Sequence, residues 1–126
     1  MNIALWVLQI LLALVFFRSG VIHFTMPPEL PVQLQWMYDL SPTLHTISGV
    51  AEIAGALGLI LPGIVKIQTR LTPLAAVGLI LVMLGAIIFH IPRGEYFSIV
   101  MNTVLLILSA GIAYGRWRLA PLPEKE

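Results

Sequence analysis

The chain has 126 residues, of which 59% are hydrophobic and 10% are charged, and its mean hydropathy is +0.96. Soluble domains carry about 25% charged residues, so this chain has too few charges to cover a water-facing surface. We therefore predict a one-domain integral membrane protein. The chain contains no cysteine, which excludes disulfides, thiolate nucleophiles and cysteine-ligated metals. Its net charge of +1 offers no basic surface for nucleic acid.

Four apolar segments are long enough to cross a bilayer, for which a helix needs roughly 20 residues. Short connections between them predict an all-α, antiparallel four-helix membrane bundle. The expected spans are about 3–23, 44–62, 71–91 and 97–117, followed by a frayed tail at 119–126. The N-terminal segment has neither a basic start nor a small-residue cleavage site, so we expect it to remain as the first span.

The segment 24–43 between the first two spans contains four prolines, which exclude one continuous helix. Two interpretations of residues 32–40 stay open. They could form a short helix on the membrane surface, with Trp36, Met37 and Tyr38 at the interface where amphipathic aromatic residues collect. They could also form an irregular loop that caps the bundle.

The distribution of lysine and arginine predicts the orientation. The second connection and the C-terminal end together hold five of these residues, whereas the two connections on the other side hold only Arg93. Positive residues concentrate on the cytoplasmic side of membrane proteins. We therefore expect a multi-pass protein of the cell membrane with both termini in the cytoplasm and with the proline-rich segment facing outward.

Glu52 is the only carboxylate within the four expected spans, and a charge inside a bilayer is costly and rarely unpaired. A helix rises about 1.5 Å per residue, so Arg18 and Glu52 both lie roughly 8–10 Å below the outer surface. Helical side chains lean toward the helix N-terminus. Because the first two spans run in opposite directions, this lean brings the side chains of Arg18 and Glu52 toward the same depth. We predict an Arg18–Glu52 ion pair; the alternative is that Arg18 extends to the outer headgroups.

Other polar residues at this depth recur at helical spacing on the second and fourth spans, and two histidines are expected at the rim. This pattern predicts a small pocket that opens outward under the proline-rich segment. The candidate ligand-binding residues are Arg18, His23, His45, Ser48, Glu52, His90 and Asn102. The expected walls are Phe16, Phe17, Met83 and Phe89. No metal site is predicted, because the histidines and Glu52 come from three helices without a local ligand spacing.

Several stretches carry a family resemblance that covers nearly the whole chain: FFRSGVIHF, GVAEIAGALGLILPG, LTPLAAVGLILVMLGAIIFH and AYGRWR. The most specific is the pattern G-x-x-E-x-x-G-x-L-x-L-x-x-P over residues 49–62. The chain resembles the DoxX-like family of small four-span membrane proteins. The resemblance implies the four-helix fold. Some relatives are subunits of archaeal thiosulfate:quinone oxidoreductase, others accompany oxidative-stress and detoxification enzymes, and one distant relative assists receptor assembly.

Three functions stay open, and the residues assign no catalytic role. The first is a redox-associated subunit that binds a quinone or another small lipophilic molecule. Its electrons would need a redox partner protein or a bound cofactor, because the chain has no thiol or metal motif. The second is a membrane scaffold or assembly factor in which Arg18 and Glu52 form a structural lock. The third is a proton-coupled exporter, working as a homo-oligomer, although an arginine partner would keep Glu52 ionised.

Overall fold

A computed structural model describes residues 1–125 of the chain. The long helices are α1 (Asn2–Thr25), α2 (Pro42–Val65), α3 (Leu71–His90) and α4 (Tyr96–Tyr114). Each is long and apolar enough to cross a membrane, the fourth together with the helical turn that follows it. The helices pack antiparallel, each mainly against the next in sequence. The predicted all-α four-helix bundle is therefore confirmed.

A 3₁₀ helix at Val32–Asp39, here named the cap helix, covers one end of the bundle. The segment is therefore helical, as the first interpretation expected, and it caps the bundle, as the second expected. The Tyr38 hydroxyl donates to the Pro28 carbonyl at 3.1 Å and accepts from the Leu30 N–H at 3.1 Å, which folds the proline-rich segment onto itself. We call this end of the bundle the cap end and the opposite end, where α1 begins and α4 finishes, the tail end.

Small residues allow α2 to pack closely between α1 and α3. A Cβ atom on Gly20 of α1 would lie 2.6 Å from Ile53 Cγ1 and 3.0 Å from the carbonyl oxygen of Gly49. A Cβ atom on Gly55 would lie 2.6 Å from Leu79 of α3. Side chains at these positions would push the helices apart, so the small residues set the helix spacing, as they commonly do in membranes.

Arg116 is buried at the tail end, where α4 continues as a π-helical turn at Gly115–Leu119. The wider π turn changes the direction of successive side chains. Arg116 Nε donates to Gln9 Oε1 at 2.6 Å, and one terminal nitrogen donates to Asn2 Oδ1 at 2.8 Å and to the Ala120 carbonyl at 2.7 Å. Arg116 was expected only as one of the positive charges at the C-terminal end, and this link between α1 and α4 was not predicted.

The tail folds across the connection between α2 and α3. The Thr69 hydroxyl donates to the Leu122 carbonyl at 3.1 Å, and the Lys125 N–H donates to the Lys66 carbonyl at 2.7 Å. The Leu122 side chain is buried. The expectation of a frayed tail is therefore wrong for residues 120–125, because Leu122 finds apolar contacts and the backbone finds hydrogen-bond partners.

Arg116→Ala is expected to lower the free energy of unfolding by about 2–3 kcal/mol, because it removes charge-assisted hydrogen bonds and leaves buried acceptors unpaired. Titration with a denaturing detergent in mixed micelles, followed by far-ultraviolet circular dichroism, measures the change. Arg118→Ala is the matched control, because Arg118 is exposed on the same turn. An equal decrease in the free energy of unfolding in the two variants would contradict a structural role for the Arg116 hydrogen bonds.

Candidate ligand-binding cavity

Glu52 is buried between α1 and α2, where it contacts two side chains of α1. The Ser19 hydroxyl donates to Glu52 Oε1 at 2.8 Å, and His23 Nε2 lies 3.0 Å from Glu52 Oε2. Arg18 is exposed and forms no ion pair with any residue in the range 1–125. The predicted Arg18–Glu52 ion pair is therefore wrong, and His23 takes the place assigned to Arg18.

The direction of each side chain around α1 explains this difference. The face of α1 that packs inside the bundle includes Phe16, Gly20 and His23. Successive residues are about 100° apart around a helix, so Arg18 lies roughly 200° from Phe16. It therefore faces lipid, where a long side chain can extend to the headgroups. Ser19 and His23 are four residues apart and therefore share the inward face. The depth of a residue in the membrane does not indicate which face of the helix it occupies.

His45 extends this polar contact toward the cap helix. Its Nδ1 lies 2.9 Å from His23 Nδ1, and its Nε2 lies 2.8 Å from the carbonyl oxygen of Met37. Ser19, Glu52, His23 and His45 thus form one continuous chain of polar contacts from α1 and α2 to the cap helix, in which the His23–Glu52 link is a close contact without hydrogen-bond geometry.

A cavity of about 400 Å³ lies beside this chain at the cap end, mainly between α2 and α3. The cap segment covers it with Trp36 and Leu40. Among the residues expected to form the pocket, those lining the cavity are His23, Ser48, Glu52, Met83, Phe89, His90 and Asn102. The residues expected there but placed elsewhere are Arg18, His45, Phe16 and Phe17. Phe16 belongs to the buried core, and Phe17 is exposed.

The exposed part of the cavity wall lies between α2 and α3. Ile47 on α2 is 58% exposed and Leu81 on α3 is 64% exposed, and the neighbouring wall residues Leu44 and Gly85 are exposed as well. Apolar residues on the outside of membrane-spanning helices contact lipid. The pocket was expected to open outward under the proline-rich segment, whereas its exposed rim lies at the side of the bundle, between α2 and α3, because the cap helix covers the end of the bundle.

His90 is fully buried at the cap end of α3, and Glu95 orients its ring. His90 Nδ1 lies 2.9 Å from Glu95 Oε1, and Arg93 Nε donates to the same oxygen at 2.7 Å. Burial raises the pKa of Glu95, but the hydrogen bonds from Arg93 and His90 outweigh the burial and hold this pKa below its usual range. Glu95 is therefore a carboxylate that only accepts, so His90 Nδ1 carries the proton. In the neutral ring, Nε2 is then an acceptor.

Three buried polar atoms of the cavity-lining residues lack a hydrogen-bond partner within residues 1–125: Glu52 Oε2, His90 Nε2 and Trp36 Nε1. Glu52 Oε2 still has the His23 ring nitrogen 3.0 Å away, whereas His90 Nε2 and Trp36 Nε1 lie together. The two rings meet edge to face, with centroids 4.7 Å apart and an interplanar angle of 85°. Buried polar groups are normally hydrogen-bonded, because leaving one unpaired costs free energy. An acceptor and a donor are thus available together beside the cavity. Trp36 was expected at the membrane interface in one of the two interpretations of its segment, and Glu95 was not predicted as the partner of His90.

Within residues 1–125, no group of three or more histidine, aspartate or glutamate side chains is arranged to hold a metal ion. The two cavity histidines have separate carboxylate partners, since His23 contacts Glu52 and His90 contacts Glu95. The cavity wall is mostly apolar and aromatic, with a small number of polar groups.

The family model described as the DoxX-like family matches residues 7–112. This chain belongs to the DoxX-like family. The matched region contains every residue of the cavity and of the Ser19–Glu52–His23–His45 chain, whereas Arg116 lies outside it. No curated protein and no solved structure matches the chain. This DoxX-like protein is thus a multi-pass membrane protein whose four spans place it in contact with the lipid bilayer.

Proposed function

We propose that this DoxX-like protein binds a small lipophilic molecule with a carbonyl or hydroxyl head group, such as a quinone or quinol, in the cap-end cavity. It would act as the membrane subunit of a redox system, with a partner protein carrying the electrons. The observation that supports this proposal is the unpartnered pair of Trp36 Nε1 and His90 Nε2 beside an otherwise largely apolar cavity.

The two unpartnered groups match the two states of a quinone head. The Trp36 N–H can donate to a carbonyl oxygen, and neutral His90 Nε2 can accept from a hydroxyl group. Ser48 and Asn102 add further polar groups on the cavity wall. The cavity of about 400 Å³ falls within the range of roughly 300–1,000 Å³ that is typical of small-molecule sites.

The position of the opening supports a ligand that is dissolved in the membrane. A molecule with an apolar body can pass from lipid between Ile47 and Leu81 without crossing water. In the orientation expected from the positive charges, with both termini in the cytoplasm, this opening lies in the outer leaflet.

Gly85→Phe is expected to weaken quinone binding by about tenfold or more, equivalent to at least about 1.4 kcal/mol. A Cβ atom at Gly85 would meet nothing within 4 Å, so the ring can occupy the opening without disturbing the fold. Gly78→Phe is the matched control, because Gly78 is also open and exposed on α3 but does not line the cavity.

Decylubiquinone is a suitable probe, because quinones quench tryptophan fluorescence. The chain has three tryptophans, so replacing Trp6 and Trp117 by phenylalanine leaves Trp36 as the only emitter. Saturable quenching in lipid nanodiscs that is weakened by Gly85→Phe and unchanged by Gly78→Phe would support the proposal. Absence of saturable quenching in the unaltered cavity would contradict quinone binding.

A proton-coupled exporter is the second candidate, and one observation favours it. The objection to this function was that an arginine partner would keep Glu52 ionised, but the partner of Glu52 is His23. Histidine can take up or release a proton in the physiological range. Substrate export that depends on a pH gradient and is lost in Glu52→Gln would favour this candidate. A scaffold role would be indicated if the cavity variants changed neither binding nor transport.

A further inference from the structure

One charged side chain faces outward from within a membrane span. Arg18 and Glu52 are the only arginine, lysine, aspartate or glutamate residues in α1–α4, and Glu52 is buried. Arg18 is exposed and forms no ion pair within residues 1–125. It lies seven residues before the end of α1, which is roughly 10 Å along the helix axis. A charge at this depth is costly without a counter-charge, and residues 1–125 supply none.

Arg18 belongs to a straight stripe along the outer face of α1. Its members follow one another at alternating steps of four and three residues, the repeat by which two helices pack side by side. We call them the α1 stripe: Val7, Leu11, Leu14, Arg18, Val21 and Thr25. All six are exposed. The Thr25 hydroxyl donates to the Val21 carbonyl at 3.0 Å, so the guanidinium of Arg18 is the polar group of this stripe that needs a partner.

An apolar groove lies beside the α1 stripe, between α1 and α2. Its volume is about 290 Å³, and Leu14 of the stripe forms part of its wall. Ala13 and Ala56 are buried in this groove, whereas Phe17 and Leu57 are exposed at its edges. The two alanine side chains are small and leave room between the larger ones. A large apolar side chain of an adjacent helix can therefore enter the groove, as a knob enters a hole in packed helices.

Charge decides which kind of helix fits the α1 stripe. A second copy of this chain, packed symmetrically through the same stripe, would place two Arg18 side chains at the same depth. These like charges would repel each other in a medium that screens them weakly. A helix with a carboxyl group at this depth supplies the missing counter-charge, and a guanidinium can hold a carboxylate through two parallel hydrogen bonds.

We propose that the α1 stripe is the docking surface for a transmembrane helix of a different protein, which carries an aspartate or glutamate at the depth of Arg18. The apolar stripe residues pack against this helix, and the guanidinium pairs with its carboxyl group. A lipid phosphate would satisfy Arg18 alone, whereas a helix also covers the stripe from Val7 to Thr25, a length of roughly 27 Å. The docking surface goes beyond the proposed function and does not depend on a ligand in the cavity.

The first test measures association with defined peptides in phosphatidylcholine vesicles. One peptide is a leucine–alanine transmembrane helix with a glutamate about 10 Å from its outer end, and the control peptide has leucine at that position. The chain has no cysteine, so Ile67→Cys, at an exposed position between α2 and α3, takes a fluorophore for energy transfer. We expect the glutamate peptide to bind about tenfold more tightly, the lower end of the coupling between close charge pairs at interfaces. Arg18→Leu should abolish this difference.

Two further variants separate docking at the stripe from charge attraction alone. The Arg18→Glu variant should bind a peptide that has arginine in place of the glutamate, and it should no longer prefer the glutamate peptide. The double variant Arg18→Leu/Thr103→Arg moves the arginine to α4. Thr103 is exposed and lies seven residues after Tyr96, the first residue of α4, so the depth of the charge is similar. This variant should not regain the preference for the glutamate peptide.

Two outcomes would overturn the docking surface. Equal binding of the glutamate and leucine peptides to the protein with Arg18 would mean that lipid phosphates already neutralise this residue. Full recovery of the preference in Arg18→Leu/Thr103→Arg would mean that any lipid-facing arginine attracts the peptide, without a contribution from the α1 stripe. Neither measurement uses a quinone, so the result is independent of the Gly85→Phe comparison.

Discussion

His23→Leu is expected to lower the free energy of unfolding by about 1–3 kcal/mol, the usual cost of leaving buried polar groups without their partner. The variant removes the ring nitrogen that lies 3.0 Å from Glu52 Oε2 and leaves His45 Nδ1 without its hydrogen-bond partner. Leucine fits the apolar surroundings, so lost packing contributes little. Detergent-induced unfolding in mixed micelles, followed by circular dichroism, measures the effect.

Two controls separate this electrostatic cause from a packing effect. The double variant His23→Leu/Glu52→Leu should recover most of the lost stability, because replacing both buried partners by apolar groups can be nearly neutral. Arg18→Leu should change the free energy of unfolding by less than about 0.5 kcal/mol, as expected for an exposed residue that pairs with no other side chain within residues 1–125. A large loss for Arg18→Leu together with little effect of His23→Leu would restore the Arg18–Glu52 pair.

Gly20→Leu is expected to destabilise the bundle by about 3 kcal/mol, at the upper end of the usual cost of overpacking. Its Cβ atom would lie 2.6 Å from Ile53 Cγ1, 3.0 Å from the Gly49 carbonyl oxygen and 3.2 Å from the Ile53 backbone nitrogen. The two backbone atoms cannot move aside without shifting α2. The shift would also separate Glu52 from His23 and Ser19, whose polar contacts cross the same helix interface.

Gly111→Leu in α4 is the matched control, because a Cβ atom at Gly111 would meet nothing within 4 Å. This variant should keep or slightly raise stability, since leucine favours a helix more than glycine does. The same unfolding titration compares the two variants. Equal destabilisation at the two positions would mean that the cost comes from the residue change alone and not from the α1–α2 contact.

The depth of the polar residues could be predicted because it depends only on residue number and helix rise. Glu52, His90 and Asn102 were expected near one end of the bundle, and all three line one cavity there. The direction of Arg18 could not be predicted from depth. It depends on which face of α1 contacts α2, and that face is set by the close approach at Gly20. The spacing of Ser19 and His23 on either side of Gly20 is the sequence signal that could have identified the correct partners.

Long-range contacts set the remaining features of the site. Trp36 reaches the cavity because the proline-rich segment folds back over the bundle, and Glu95 reaches His90 across the connection between α3 and α4. Neither contact follows from helical periodicity, because both elements lie outside the spans. Arg116 is buried because a π turn redirects it toward Gln9.

The sequence by itself determined the membrane class, the four spans, the antiparallel order and the end of the bundle at which polar residues collect. These properties depend on apolar length, charge content and short connections, which are local. Only the tertiary structure decided which polar residues meet, where the cavity opens and which atoms are left without partners. The physical reason is that a side chain's partner depends on the rotation of its helix about its own axis. That rotation is set by packing between residues that are distant in the chain.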